Sequence, residues 1–298
     1  MSWVQCRIYA THEQYESLDT ALCVAGAVSI TYTDAVDNPI FEPELGTMPL
    51  WPDIEVIGLF PAETDTINAY QSISQNLSFS IPSANWEILE EKQWEREWLK
   101  YFSPICFAER LWVTPKELSP ESIKSDQKVI FLDPGLAFGT GTHPTTALCL
   151  EWIALQDWEN QSVVDYGCGS GILAIAARKL GARMVFAVDI DPQAIQATGE
   201  NLSRNDISPA SVDIGLAREM SVPQCSRVIA NILAQPLIEL RETLTDLILP
   251  EGLLCLSGIT EAQAEPICAL YNRSFENIQI TTKDGWARIT GRKRAHKP

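Results

Sequence analysis

The sequence predicts a Rossmann-like α/β domain, a parallel sheet with helices on both faces, behind a small N-terminal α+β domain of ferredoxin-like plan. Three observations carry this prediction. From about Phe107 onward, short apolar runs alternate with stretches of helical periodicity, the pattern of a doubly wound sheet. Within them, Val163-Val164-Asp165-Tyr166-Gly167-Cys168-Gly169-Ser170-Gly171 reads as a strand and a glycine-dense turn, followed by a helix and a second strand ending at Asp189. Upstream, residues 4–81 read as β-α-β-β-α-β.

In chain order, Val4–Tyr9 alternates as a strand, and Glu13–Gly26 has helical spacing ending on a glycine. Val28–Thr33 and Ile54–Phe60 are strands, Thr64–Ile73 a helix and Leu77–Ile81 the closing strand. Asn85–Phe102 is charged and tryptophan-rich, with Trp94, Trp98 and Tyr101 or Phe102 at helical spacing, and is expected to be a linker helix. Strands follow at Leu111–Val113, Val129–Leu132, Val163–Tyr166, Met184–Val188, Arg227–Ala230 and Leu253–Ser257. Helices are expected at Thr145–Leu155, Gly171–Leu180, Ala194–Asn205 and Pro236–Leu247. This divides the chain into an N-terminal domain (1–84), to which the family resemblance set out below assigns substrate recognition, a helical linker (85–106) and a main domain (107–298).

Composition narrows the class. The 298 residues are 46% hydrophobic, yet no apolar run approaches the roughly twenty residues of a membrane span. No secretion signal is read at the N-terminus. The eight cysteines are scattered without a C-x-x-C pair and read as buried thiols in a reducing cytoplasm; three distant histidines leave little for a metal site. Net charge is −17, and residues 1–80 hold eleven acids against one base, Arg7, leaving −10. That sign disfavours nucleic acid and suits either a solvated surface or a docking face for a basic partner. The basic run Arg292–Lys297 reads as a frayed end.

The glycine turn is the chemical centre. Glycines let the backbone turn sharply and approach a ligand, and the next helix aims its N-terminal N–H groups there. Asp189, eighteen residues after Gly171, is placed to offer a carboxylate to ribose hydroxyls. Gly169, Gly171 and Ala174 also satisfy G-x-G-x-x-A, so a dinucleotide remains an alternative on glycines alone. Asp165 tilts the reading: an acid just before the turn would repel a pyrophosphate but suits a ligand bearing ammonium and sulfonium groups.

Two further segments matter. Leu132–Thr146 holds three glycines and several hydroxyls ahead of a helix capped by Thr142 or His143, and is expected to act as a lid, with Thr145 and Thr146 facing the cofactor. His143 is either a general base or a cap. Val228-Ile229-Ala230-Asn231-Ile232-Leu233-Ala234 is an apolar strand ending in Asn231, where an open sheet places ligands.

With Ala25–Thr31, Trp94–Trp98, Asp189-Ile190-Asp191-Pro192 and Arg288–Arg292, these segments resemble the PrmA family, the bacterial ribosomal protein L-eleven methyltransferases, over essentially the whole chain. The D-x-G-x-G-x-G run resembles motif I of class I methyltransferases dependent on S-adenosylmethionine. Asn231-Ile232-Leu233-Ala234 departs from the Asn-Pro-Pro-aromatic of many amino-group methyltransferases, which argues against a planar acceptor. The resemblance implies a class I methyltransferase fold with S-adenosylmethionine as methyl donor. It also implies a cytoplasmic enzyme acting on the α-amine and lysine side chains of the large-subunit protein at the stalk base. Thr146, Gly167, Asp189 and Asn231 are carried over as cofactor contacts; Gly169 and Asp165 join them from the turn itself. The catalytic expectation is Asn231 orienting the amine, with no dedicated base. A dinucleotide oxidoreductase, a small-molecule or RNA methyltransferase and a non-enzymatic assembly protein are the rivals.

Overall fold

The structure is a computed structural model and describes residues 3–36, 40, 49–81, 83–89, 103–120, 123–132 and 141–295. The chain divides into two compact units, residues 1–95 and 96–298.

The first unit runs β1 (Trp3–Thr11), α1 (Tyr15–Val24), β2 (Ser29–Asp34), β3 (Asp53–Pro61), α2 (Thr66–Gln75) and β4 (Asn85–Leu89). The strands form one antiparallel sheet in the order β2-β3-β1-β4, which is the ferredoxin-like plan. Alternation decides the buried face: Val4, Cys6, Ile8 and Ala10 of β1 and Ile54, Val56 and Phe60 of β3 lie inside, under Leu18, Ala21 and Leu22 of α1 and Ala69 and Ile73 of α2. Asp65 caps α2 by accepting from the Ile67 and Asn68 N–H groups.

The closing strand is not Leu77–Ile81 but Asn85–Leu89, the stretch expected to open the linker helix. Leu77, Phe79 and Ile81 do join the core, which is why they looked like a strand, but they lie outside the ladder. Asn85–Leu89 wins the edge because Trp86 packs on Phe60 at 5.1 Å between ring centroids and Glu87 accepts from Gln5 Nε2 at 2.8 Å. The tryptophan stripe of the expected helix, residues 90–102, lies outside the described residues.

The second unit opens with a three-stranded sheet of β5 (Ile105–Phe107), β6 (Leu111–Thr114) and β7 (Lys128–Phe131). Two of these were expected in the main sheet. The chain continues through α3 (Pro144–Leu155), β8 (Ser162–Tyr166), α4 (Ile172–Lys179), β9 (Met184–Asp189), α5 (Pro192–Arg204), β10 (Asp213–Leu216) and β11 (Cys225–Asn231). Two short helices, α6 (Ala234–Glu239) and α7 (Arg241–Asp246), replace the single helix expected at Pro236–Leu247. Then come β12 (Ile248–Thr260), α8 (Glu261–Tyr271), β13 (Phe275–Lys283) and β14 (Trp286–Lys293).

The main sheet has the order β10-β9-β8-β11-β12-β14-β13, parallel except that β14 runs against both neighbours. Its two faces carry separate cores, divided by strand alternation: Val163 with Ile229 and Cys255 on one side, Val164 with Val228, Leu254 and Leu256 on the other. The C-terminal basic run is anchored at its start: Lys293 is buried, and its Nζ donates to the Thr245 and Ile248 carbonyls at 2.8 and 2.6 Å. Five cysteines are buried, but Cys23 is exposed and Cys106 and Cys268 are half-buried. Among the described residues no helix is long and apolar enough to cross a membrane.

Candidate active site

The carboxyl ends of β8, β9 and β11 converge on a cavity of about 300 Å³. Thr146, Gly167, Gly169, Asp189 and Asn231 line it, five of the six residues expected to hold a cofactor.

The turn after β8 supplies one wall. Gly167 has φ +81°, and a Cβ there would lie 2.2 Å from Ile232 Cγ2. Gly171 has φ +77°, and a Cβ there would meet the Thr198 side chain at 2.7 Å. Glycine is therefore demanded twice at each position, by conformation and by space. Thr198 Oγ1 donates to the Gly169 carbonyl at 3.0 Å, and Asn201 Nδ2 donates to the Ser170 carbonyl at 2.8 Å. Asp189 closes the wall by accepting from the Gly169 N–H at 2.9 Å and the Asp191 N–H at 3.0 Å. Each of its oxygens keeps a further acceptor lone pair.

Asp165 stands apart. It is fully buried and absent from the cavity wall; its Oδ2 accepts from the Ala174 N–H at 3.0 Å, fastening the turn to the first turn of α4. Among the described residues its Oδ1 has no hydrogen-bond partner. Burial, and secondarily the charge of Asp189, push its pKa up to about 7, against the Ala174 bond that lowers it. The expected electrostatic contact with a cationic ligand is thus corrected to a supporting position: strand alternation turns Asp165 inward, away from the ligand.

The opposite wall is Asn231 and the residues after it. Asn231 Nδ2 donates to Thr146 Oγ1 at 3.3 Å, which joins the end of β11 to the first turn of α3. Its Oδ1 is buried and, among the described residues, without a partner, an acceptor that ordinarily requires one. Ile232, Leu233, Pro236 and Leu240 make the surroundings apolar. Tyr166, Ile190, Pro236 and Leu240 were not singled out by sequence reasoning. Ile190 carried the clearest signal, an apolar residue directly after a strand-end acid, and it is 84% exposed.

His143 caps α3: its Nδ1 accepts from the Thr145 N–H at 3.4 Å and lies 2.8 Å from Thr145 Oγ1, while its ring meets Trp286 edge-on at 4.8 Å. Burial lowers its pKa. It is absent from the cavity wall. Most of the expected lid, 133–140, lies outside the described residues; Gly141, at its end, has φ +84° and is packed among Val113, Ile172 and Leu150.

Residues 2–294 match the family described as ribosomal protein L11 methyltransferase (PrmA). The chain belongs to this family. Relatives bearing that name in Pseudomonas syringae pv. tomato and Pseudomonas aeruginosa are each 46% identical to it, over 99% of this chain and the whole of theirs. A solved ribosomal protein L11 methylase from Lactobacillus delbrueckii subsp. bulgaricus is 33% identical, aligns with 65% of this chain and all of its own, and has a TM-score of 0.58. The protein is a methyltransferase dependent on S-adenosylmethionine, with the Rossmann-like α/β fold expected from its sequence.

Proposed function

We propose that this chain methylates the α-amine and lysine ε-amines of a basic large-subunit ribosomal protein at the stalk base, in the cytoplasm, with Asn231 orienting the attacking nitrogen. The relatives' name supports the ribosomal protein as substrate. The observation that carries the mechanism is the buried Asn231 Oδ1, which has no partner among the described residues and stands beside an apolar wall.

The cavity residues fit the cofactor. Asp189 offers acceptors to ribose hydroxyls, Gly167 and Gly169 allow close backbone approach, and Thr146 and Asn231 face the same space. Asp165 contributes by holding the turn. When bound, S-adenosylmethionine supplies an electrophilic methyl carbon. The chain's own task is to present a neutral amine in line with it, so positioning matters most. A lysine with its ordinary pKa near 10.4 costs about 4.6 kcal/mol to neutralise at pH 7; an α-amine near 7.8 costs about 1 kcal/mol. Ile232 and Leu233 favour the neutral form by desolvation. Asn231 Oδ1 accepts an amine hydrogen and aims the lone pair. No dedicated base is invoked, and His143 acts as a cap.

The acidic first unit suits recognition of a basic protein. Glu13, Glu16, Asp53 and Asp65 are exposed or half-exposed there, and opposite charge speeds encounter. The test is to incubate the enzyme with labelled S-adenosylmethionine and the ribosomal protein from an unmethylated strain, then map methyl groups by mass spectrometry. Label on the α-amine and lysines is expected. Label confined to RNA or absent from amines would overturn the reading.

A further inference from the structure

Gly258 follows Ser257, the ladder partner of Asn231. Its φ is +88°, and a Cβ there would lie 2.3, 2.7 and 2.8 Å from the carbonyl oxygen, carbonyl carbon and nitrogen of Ile232. All three are main-chain atoms, so no change of rotamer relieves the contact. Ile232 is meanwhile pressed on a second glycine, its Cγ2 lying 2.2 Å from the Cβ position of Gly167. Ser257, wholly buried, completes the clamp: its carbonyl accepts from the Ile232 N–H at 3.1 Å. Its hydroxyl donates to the Ala287 carbonyl at 2.9 Å and lies 3.4 Å from the Thr145 carbonyl. One dipeptide thus holds both chains whose side chains meet at the Asn231–Thr146 hydrogen bond.

We infer that Gly258 is a positioning residue for methyl transfer: by letting the Ile232 backbone pass through the space of a missing methyl group, it fixes where Asn231 Oδ1 stands. Gly258 does not line the cavity, so it acts only through its neighbours. The inference rests on the reading of Asn231 as the amine's acceptor. An alanine at 258 would drive Ile232 back by about 1 Å to reach an ordinary contact. Asn231, bonded directly to Ile232, would move with it.

A double-mutant cycle tests this, because residues that act through one another are non-additive. Gly258→Ala, Asn231→Ala and the double variant are assayed for kcat on the ribosomal protein, for S-adenosylmethionine affinity by calorimetry and for thermal midpoint. Gly258→Ala is expected to lower kcat by roughly 100-fold, the loss that a misplacement of about 1 Å brings, with cofactor affinity within about threefold. In the Asn231→Ala background the same change is expected to lower kcat by less than about threefold. Equal losses in both backgrounds, or a loss of cofactor affinity in step with kcat, would overturn the inference. If Asn231→Ala alone kept full kcat, the acceptor reading would fail first, and visibly so. Should Gly258→Ala not fold, Ile232→Ala decides. It removes the side chain pressed on Gly167 without straining residue 258, and must show the same coupling to Asn231→Ala.

Discussion

On one wall of the cavity the polar groups are paired: Asp189 accepts two N–H groups, and Thr198 and Asn201 hold the Gly169 and Ser170 carbonyls. Beneath that wall, Asp165 ties the turn to α4 through one oxygen. On the other wall, Asn231 Oδ1 is buried without a partner among the described residues, and Leu233, half-exposed, leaves an apolar surface open. A satisfied, glycine-dense wall is preorganised to hold a ligand, because nothing must rearrange on binding. An unsatisfied acceptor beside apolar groups is costly in the resting protein and gains most when a donor arrives. In the proposed function, the first wall holds the cofactor and the second orients the amine.

The largest effect should come from breaking the first wall. Gly171→Ala places a methyl group 2.7 Å from Thr198 at a φ of +77°. It should destabilise the fold by about 1–3 kcal/mol, seen as a lower thermal midpoint, and abolish measurable cofactor binding in calorimetry. A charge on the second wall should act on the amine instead. Leu233→Glu stabilises the ammonium form, so the rate at pH 7 should fall about tenfold for each unit by which the amine pKa rises. The pH–rate profile should move to higher pH, with cofactor affinity little changed.

Asp165→Asn reports on the foundation beneath the first wall. The folded-state pKa of Asp165, about 7, is raised above the ordinary carboxylate value. Its contribution to stability is therefore fully present below about pH 4 and is lost as pH rises through 7. The wild-type protein should lose stability across that window, and the asparagine variant should lose less in denaturant titrations at pH 5 and 8. The smallest effect belongs to His143→Ala. Its capping bond is 3.4 Å long, so the cost should be about 0.5 kcal/mol, at the low end for caps. kcat should stay within about threefold, whereas loss of a general base would cost at least about 100-fold.

The glycine wall was legible in the sequence because a left-handed backbone leaves a mark that little besides glycine satisfies, and a strand-turn-helix fixes the spacing from Asp165 to Asp189. Asn231 was legible as a polar residue ending an apolar strand. Gly258 was not, because its demand comes from Ile232, a close approach that no local pattern encodes. Asp165 is legible as an acid near the turn, but the face it takes is not, because that depends on the strand's register in the sheet. The turn Asp284-Gly285, with both φ values positive, joins β13 to β14, and Asp-Gly is a strong hairpin signal in the sequence. β4 reads as helix in the sequence because Trp86 merges with the charged, tryptophan-rich run that follows it.

The most direct test sets one residue from each wall against the other. Asp189→Ala and Asn231→Ala are compared for cofactor affinity by calorimetry and for single-turnover methyl transfer at saturating cofactor. Asp189→Ala is expected to weaken affinity by at least about tenfold while transfer at saturation persists, and Asn231→Ala to slow transfer by about 100-fold with affinity largely kept. If both variants lost affinity alone, or if Asn231→Ala transferred at the wild-type rate, the division of the cavity into a holding wall and an orienting wall would be contradicted.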